Sequence, residues 1–233
     1  MVPSKKLATI AGCIYLIVVL TGIFSLAYVP SKLIDWNNAA TTTNNIIASE
    51  TLFRLSIVAG ICCYIAFLFL PLVLYRLLHH IQESAAKCMV ILAVISVPIS
   101  LINLLNKFHI LTLIHTTNAQ QLVELKQLQT QVMRYLDYYD NGIQLASIFW
   151  GLWLFPFGYL VWKSDFLPKI LGLFLMAGCF GYLINFIGNF LLPNYAELGI
   201  SKFISLPATF GEIGICLWLL FFGIKRTKST VTN

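Results

Sequence analysis

Six long apolar runs, separated by shorter polar segments, dominate the sequence and decide what the chain can fold into. An α-helix needs about 20 predominantly apolar residues to cross the hydrocarbon core of a bilayer, and each run meets this length. Only 10% of the 233 residues are charged, whereas a soluble domain carries about 25%. We therefore predict an all-α integral membrane protein, a six-transmembrane-helix bundle that forms one transmembrane domain over residues 1–233 within the lipid bilayer. The predicted spans are residues 7–29, 50–76, 87–111, 141–162, 168–191 and 206–224.

The distribution of Lys and Arg predicts which side of the membrane each loop occupies. If the N-terminus is inside, the inner segments hold nine Lys or Arg residues and the outer segments hold six. Because cytoplasmic loops carry the excess of these residues, we predict that both termini are cytoplasmic and that residues 225–233 form a short basic cytoplasmic tail. The net charge of +6 is spread as single residues at the ends of apolar runs. A nucleic-acid surface concentrates its basic residues, so we expect no nucleic-acid partner.

The outer loop at residues 112–140 carries a helical pattern of apolar residues. They recur at steps of three or four, at Leu122, Leu125, Leu128, Val132 and Leu136. This spacing places the side chains on one face of a helix, and Asn118 with Gln121 could cap its start. We predict an amphipathic outer helix between spans three and four, on the membrane face or folded over the bundle. A helix that only extends span four is the alternative.

The second apolar run begins with an acid and a base, Glu50 and Arg54, in the stretch NNIIASETLFRLSIVAG at residues 44–60. Ionisable residues within membrane spans are rare and usually face a partner or a cavity. With Ser49 as the N-cap, Glu50 falls in the first helical turn, where the helix dipole favours an anion. Arg54 then lies about 6 Å further along the helix and needs another explanation.

Span six offers a partner for Arg54. If Ser205 caps this helix and Pro207 lies in its first turn, Glu212 is about 9 Å below the start, at a depth similar to that of Arg54. We predict a buried Arg54–Glu212 ion pair, with Glu50 as a second acceptor for the guanidinium. Three alternatives stay open: the pair locks two helices together, it lines a polar cavity that opens outward, or the charges are placed separately.

Further polar residues gather toward the predicted outer side and extend the candidate site. Asp140 precedes span four, Asn185 lies in span five, and His109 ends span three, close to Lys107. A cavity built from them would be acidic and rich in amides. His109 and His115 are six residues apart and would point in different directions on one helix, which argues against a shared metal site. We expect no metal and no cofactor, and the sequence contains no HExxH, GxSxG or P-loop motif.

Small residues mark the faces on which the spans are expected to contact one another. In lipid, such residues let helix backbones approach closely. The predicted contact positions are Ala8 and Gly12 in span one, Ala177, Gly181 and Gly188 in span five, and Pro207, Gly211 and Gly214 in span six.

Three stretches of the chain resemble motif regions of one membrane-protein family. They are ASETLFRLSIVAG, GLWLFPFGYLVWKSDFLPKILGLFLMAGCFGYLIN and LPATFGEIGICLWLL. Together they are similar to the bacterial multi-pass membrane family described as domain of unknown function 4386, and the likeness covers nearly the whole chain. The matching positions are Glu50, Arg54, Gly158, Tyr159, Leu160, Pro168, Gly172, Gly181, Tyr182, Gly211 and Glu212.

The resemblance implies a bacterial inner (cytoplasmic) membrane protein and supplies no activity. The chain departs from the family pattern at two positions. Relatives often carry histidine where this chain has Trp153, and an acid where it has Asn185. Chemistry that needs this histidine or this acid therefore does not carry over to this sequence.

Three functions compete at this point. The favoured hypothesis is a non-enzymatic protein that binds or moves a small molecule or lipid through an outward polar site around Arg54 and Glu212. The second is an intramembrane enzyme in which Glu212 is the acid/base and Arg54 holds an anionic group. The third is a structural or assembly protein that uses residues 112–140 as a docking surface.

Overall fold

A computed structural model describes residues 4–116 and 122–223, and within these ranges the regular secondary structure is entirely helical. The α-helices of these ranges are α1 (Lys5–Ile23), α2 (Val29–Leu33), α3 (Ala39–Ala48), α4 (Glu50–Leu78), α5 (Glu83–Asn103), α6 (Leu105–Thr116), α7 (Leu122–Leu152), α8 (Leu154–Lys163), α9 (Lys169–Leu191) and α10 (Ile200–Leu217). Two π-helical turns, Phe24–Tyr28 and Trp218–Phe222, follow α1 and α10, and a short 3₁₀ turn covers Ala196–Leu198. The predicted cap at Asn118 and Gln121 and the predicted tail at residues 225–233 lie outside the described residues.

Six helical stretches of the described chain are long and apolar enough to cross a membrane. They are Lys5–Leu33, Glu50–Leu78, Glu83–Thr116, Val123–Lys163, Lys169–Leu191 and Ile200–Phe222. Each predicted span overlaps one of them, so the all-α, six-span fold class is confirmed.

Span six begins six residues earlier than predicted. The sequence placed Ser205 at the cap and Pro207 in the first turn, but α10 begins at Ile200 and contains Pro207. The helix starts after Gly199, whose φ of 65° is the left-handed conformation that glycine adopts readily. The proline is tolerated inside the helix, although it leaves the carbonyl of Phe203 without its usual N–H donor.

Residues 122–140 form a helix, and the second of the two alternatives for this segment is correct. The helix α7 runs without a break from Leu122 to Leu152, so residues 122–140 extend span four. Leu128, Val132 and Leu136 are buried on one face of α7, as the spacing predicted.

The loop between spans one and two contains a helix that the sequence did not reveal. Its polar stretch reads as turns, but residues Ala39–Ala48 form α3. Asn38 caps this helix, because its side-chain oxygen accepts a hydrogen bond from the backbone N–H of Thr41 at 3.0 Å. Ile46 then anchors the helix in the interior.

The described residues form two compact units. The first unit contains residues 4–16, 66–96 and 146–223, and the second unit contains residues 17–65, 97–116 and 122–145. In the second unit, apolar side chains from α2, α3, α4, α6 and α7 form one core: Val29, Leu33, Ile46, Phe53, Ile57, Ile110, Leu111, Leu128, Val132 and Leu136. The prediction of one domain over residues 1–233 stays a prediction.

Glycines control how helices pack in the first unit, where α9 lies against both α8 and α10. A Cβ atom on Gly172 would lie 2.5 Å from the carbonyl oxygen of Gly158, and one on Gly211 would lie 2.9 Å from the backbone nitrogen of Leu175. Only glycine allows backbones to approach this closely. The predicted contact positions Ala8, Gly12, Gly181, Gly188, Gly211 and Gly214 all meet neighbouring chain segments. Ala177 is exposed, and the adjacent Gly178 contacts Ala208 in its place.

Candidate functional site

The Glu212 carboxylate on α10 is held between two tyrosine hydroxyls in the first unit. The Tyr15 hydroxyl, from α1, donates to Oε2 at 3.2 Å, and the Tyr182 hydroxyl, from α9, donates to Oε1 at 3.3 Å. Tyr15 is buried, and Glu212 and Tyr182 are partly buried. Three helices therefore meet at this carboxylate.

Local packing fixes the position of both hydroxyl donors. Tyr182 lies against Gly151, where a Cβ atom would be 2.6 Å from the Tyr182 Cβ atom. Tyr15 packs beside the buried Trp153, with ring centroids 6.3 Å apart, and Trp153 stacks on Phe157 at 5.2 Å. Close packing against Gly151 thus positions the Tyr182 hydroxyl, and packing against Trp153 positions the Tyr15 hydroxyl.

The partners of Glu212 are neutral. Within residues 4–116 and 122–223, no nitrogen of Lys, Arg or His lies within 4 Å of its carboxylate. An ionised carboxylate has about four lone-pair sites, and the two tyrosines use two of them. Glu212 therefore keeps acceptor capacity for a cation or for another donor.

Arg54 lies in the second unit with two partners of its own. Its Nε donates to Glu50 Oε1 at 2.5 Å, and its Nη2 lies 3.2 Å from His115 Nε2. The same His115 nitrogen is 3.0 Å from Glu50 Oε1. A ring nitrogen either accepts from the guanidinium or donates to the carboxylate, so the tautomer and charge of His115 decide which bond forms. This set fastens the start of α4 to the end of α6.

The predicted buried Arg54–Glu212 pair needs correction, because the structure gives each residue other partners. Its premise was equal depth, which depended on a helix start near Ser205. Since α10 begins at Ile200, Glu212 lies about 18 Å along its helix, whereas Arg54 lies about 6 Å along α4. The Arg54 side chain is also 53% exposed, so it is not a buried charge. The predicted role of Glu50 as an acceptor for Arg54 is correct.

The remaining predicted site residues lie in three separate environments. Asp140 is exposed on α7 and accepts a hydrogen bond from Gln144 at 2.9 Å. His109 is exposed on α6, and its ring stacks on Tyr135 at 5.1 Å. Asn185 lies in the first unit, whereas Asp140 and His109 lie in the second, and the acidic, amide-rich cavity stays a prediction.

The Asn185 side chain connects α9 to the segments that follow it. Its Nδ2 donates to Ser205 Oγ at 2.9 Å and to the carbonyl of Ser201 at 3.3 Å. Its Oδ1 accepts from the Tyr195 hydroxyl at 2.7 Å. An amide can donate and accept at once, and here it uses both capacities to hold α10 and residues 192–199 against α9. Asn185 therefore links three segments of the first unit, and its predicted role in a binding site stays a prediction.

A model of one protein family matches residues 10–223, nearly the whole chain. The chain belongs to this family, described as Domain of unknown function (DUF4386). An uncharacterized protein of the archaeon Archaeoglobus fulgidus is 35% identical over 91 residues, which is 39% of this chain and 51% of that protein. The chain thus spans about half the length of this curated relative. No solved structure matches the chain.

Residues that carry the likeness to DUF4386 contact one another in the structure. Glu212 bonds to Tyr182, Glu50 bonds to Arg54, and Gly158 packs on Gly172. The motifs thus contribute one helix contact and parts of two polar groups. At the first departure from the family pattern, Trp153 supplies an apolar wall beside Tyr15. In the part of the chain that the structure describes, no three His, Cys, Asp or Glu side chains could together hold a metal ion.

Lys107 is a buried polar residue that is not among the predicted site residues. It lies on α6 in the second unit and is only 2% exposed. Its Nζ donates to Ser56 Oγ at 3.3 Å and lies 4.4 Å from the centroid of the Tyr139 ring. Lysines near span ends usually extend their ammonium to the interface, so a polar outer end was the natural interpretation. One sequence signal for the burial of Lys107 was available. Ile110 and Leu111 follow it by three and four residues, so these buried residues share a helix face with Lys107.

Proposed function

We propose that this DUF4386 protein is a non-enzymatic multi-pass membrane protein that binds a small cationic ligand at Glu212. One observation carries the proposal: a partly buried carboxylate on a membrane-spanning helix has two neutral hydroxyl partners and no cationic side chain within 4 Å among the described residues. This narrows the earlier hypothesis of a ligand site around Arg54 and Glu212 to the second of these residues.

The cost of a charge in a membrane span supports this proposal. An acid at the centre of a membrane helix costs about 2.5–3.5 kcal/mol on insertion scales, and such residues usually face a partner or a water-filled path. Two tyrosine hydroxyls offset part of this cost but carry no charge. A bound cation would supply the missing charge and would use the lone pairs of Glu212 that the tyrosines leave available.

We further propose the inner (cytoplasmic) membrane as the location, with both termini on the cytoplasmic side and the lipid bilayer as the surrounding partner. The Lys and Arg distribution along the chain supports this orientation. Cysteine labelling of intact cells tests this orientation. Single cysteines replace Ser31 in the α2 segment or Ser84 near the start of α5, and the cells are treated with a membrane-impermeant thiol reagent. A variant without the native cysteines is the background. Labelling at residue 31 alone supports the proposal, and labelling at residue 84 alone contradicts it.

The ligand proposal is tested by cation-dependent stability of the purified protein in detergent. The thermal unfolding midpoint is measured while methylammonium, sodium or potassium chloride replaces N-methylglucamine chloride at constant ionic strength. Because a ligand that binds only the folded state stabilises it, we expect a saturable rise with at least one of these cations. The rise should disappear in Glu212→Gln, which keeps the shape of the side chain and removes its charge.

The matched control is Glu83→Gln. Glu83 also lies on a membrane-spanning helix but is 61% exposed and already paired with Lys87 at 2.9 Å. This variant should keep the full cation response. The proposal is wrong if the unmodified protein shows no saturable response to any of the three cations, or if Glu212→Gln responds with unchanged affinity.

A further inference from the structure

The Lys107 ammonium lies in a buried polar group of the second unit that the Glu212 proposal does not use. This Lys107 group consists of Lys107, Ser25, Ser56, Ser100, Tyr64 and Tyr139. Its three serines and its lysine are buried: Ser25 is 1% exposed, Ser56 and Ser100 are 0% exposed, and Lys107 is 2% exposed. The π-helical turn Phe24–Tyr28 places Ser25 there, and its hydroxyl donates to the carbonyl of Ser56 at 2.7 Å.

The hydrogen-bond pattern fixes how Ser56 meets the lysine. The Ser56 hydroxyl donates its hydrogen to the carbonyl of Phe53 at 2.7 Å, so its oxygen can only accept from other groups. It accepts a hydrogen bond from Lys107 Nζ at 3.3 Å. An ammonium has three N–H donors, and Ser56 accepts from one of them.

Aromatic faces cover the rest of the ammonium. Lys107 Nζ lies 4.4 Å from the centroid of Tyr139 and 6.0 Å from that of Phe53. The negative face of an aromatic ring attracts a cation, with about 2 kcal/mol or more when the pair is desolvated. The rings therefore stabilise the charge, but they cannot accept directed hydrogen bonds as a carboxylate does.

The Lys107 ammonium has no anionic partner within its unit. Among the described residues, no carboxylate oxygen lies within 4 Å of its Nζ. Glu50, an acid of this unit, pairs with Arg54 and His115, and Asp140 accepts from Gln144. A buried cation that is left without an anion carries a desolvation penalty of several kcal/mol, which an anion of suitable geometry offsets.

We propose that Lys107 is a binding site for the carboxylate group of a small monoanionic ligand, with the Tyr139 ring covering the ammonium in the absence of that ligand. A single buried cation matches a single negative charge, whereas phosphate recognition commonly uses guanidinium forks or several donors. The carboxylate accepts N–H bonds from Nζ in place of the contact with the ring.

Further hydroxyls of the Lys107 group are the donors that we assign to the second carboxylate oxygen. The Tyr139 hydroxyl lies close to those of Tyr64 and Ser25, and the Tyr64 hydroxyl lies close to that of Ser100. A hydroxyl can turn to donate to an anion, as tyrosines do at Glu212. Asn103 keeps Tyr139 in place, because its Nδ2 donates to the Tyr139 carbonyl at 2.8 Å.

The carboxylate could arrive from water or from the bilayer, and the experiment separates these sources. The purified full chain in detergent is titrated with sodium acetate and sodium benzoate as soluble probes, and with sodium dodecanoate as a membrane-dissolved probe. Sodium phosphate is the anion control, and sodium chloride keeps the ionic strength constant. The thermal unfolding midpoint is the readout. We expect a saturable rise with acetate or benzoate if the source is water, or with dodecanoate alone if the source is the bilayer.

Three variants test the role of the ammonium. Lys107→Met, which keeps the length and removes the charge, should weaken the carboxylate response about tenfold or more, whereas Lys107→Arg, which keeps the charge, should retain part of it. Lys163→Met is the matched control: Lys163 also lies over a tyrosine, 5.5 Å from the Tyr159 centroid, but is exposed. Its response should equal that of the unmodified protein.

Two results would overturn the proposal. The first is the absence of a saturable carboxylate response in the unmodified protein, or a response that phosphate reproduces. The second is an unchanged carboxylate affinity in a folded Lys107→Met protein, which a single unfolding transition identifies. If Lys107→Met fails to fold, Lys107→Arg tests the proposal in its place. The larger guanidinium changes the geometry of the site, so the carboxylate response should be weaker than in the Lys163→Met control. A response equal to that of the control would show that the probe binds elsewhere. Cation binding at Glu212 is read in separate titrations, so the two proposals fail independently.

Discussion

Glu212 in the first unit and Lys107 in the second unit are charged residues of membrane-spanning helices, and both have neutral partners. The two residues differ in the kind of contact that stabilises the charge. Glu212 accepts two hydrogen bonds from tyrosine hydroxyls, while Lys107 donates one to a serine and lies over a tyrosine ring. A hydroxyl can donate or accept, but the face of a ring favours only a cation. The hydroxyl partners of Glu212 can thus serve either charge, whereas the ring contact of Lys107 serves only a positive one.

In a third polar group, Glu50, Arg54 and His115, the side chains satisfy one another's charges and hydrogen-bonding capacity. Each of these side chains has a partner that can carry the opposite charge or a matching donor or acceptor, and two of the three are more than half exposed. Such a group needs no ligand to balance it. Glu212 and Lys107, in contrast, have no ion-pair partner among the described residues, although Arg54 is the more conspicuous residue in the sequence.

Charge reversal at residue 107 should have the largest effect. A carboxylate in Lys107→Glu would face the negative face of the Tyr139 ring and a Ser56 oxygen whose hydrogen is donated elsewhere. We expect a loss of about 3–5 kcal/mol in unfolding free energy, the range for an uncompensated buried charge. Denaturant unfolding in detergent micelles, followed by tryptophan fluorescence, measures it.

The reversal Glu212→Lys is the matched comparison for that measurement. The two tyrosine hydroxyls can rotate and accept from an ammonium, so we expect a smaller loss of about 1–3 kcal/mol. Equal losses at the two positions would show that the partners of Lys107 are no more selective for charge than those of Glu212. The distinction between the two sites would then fail.

The next largest effect should come from the glycine that supports the Glu212 site. In Gly151→Ala, the new Cβ atom would lie 2.6 Å from the Tyr182 Cβ, so Tyr182 must move away from Glu212. We expect a loss of about 1–3 kcal/mol from overpacking, together with a weaker cation response. Gly22→Ala is the control, because its Cβ would meet only Cys63 Sγ, at an ordinary 3.5 Å. A stable Gly151→Ala protein with a full cation response would show that Tyr182 does not position the carboxylate.

The fold was predictable because apolar runs of membrane length leave few alternatives. Each run corresponds to one helical stretch, and the periodic leucines of residues 122–136 were correctly identified as a helix. The choice of Glu212 was also available from the sequence, since an acid in an apolar run is costly wherever the helices lie. These features depend on local composition alone.

The partners of the charged residues could not be predicted in the same way. The Arg54–Glu212 pair depended on the start of α10, and an error of six residues there moved Glu212 by about 9 Å along its helix. Tyr15 and Lys107 were missed for a related reason. A lysine near the end of a span commonly extends its ammonium to the membrane interface, and only the packing of other helices keeps Lys107 inside. Tyr15 lies well inside its span, and its bond to Glu212 depends on how α1 and α10 pack, which local sequence does not show.

The exposed Arg54 group should give the smallest effect and so define the baseline for the other sites. In Arg54→Gln the Glu50 carboxylate keeps His115 as a partner and stays at the first turn of α4, where the helix dipole favours an anion. We therefore expect the unfolding midpoint to change less than in Gly151→Ala, and the change to shrink further in high salt, because exposed charges are screened. Unfolding curves at low and high sodium chloride measure both effects. If Arg54→Gln instead destabilises the protein as much as Lys107→Glu does, Arg54 contributes as much to stability as a buried charge would. The ranking of the three polar groups by their effect on stability would then be wrong.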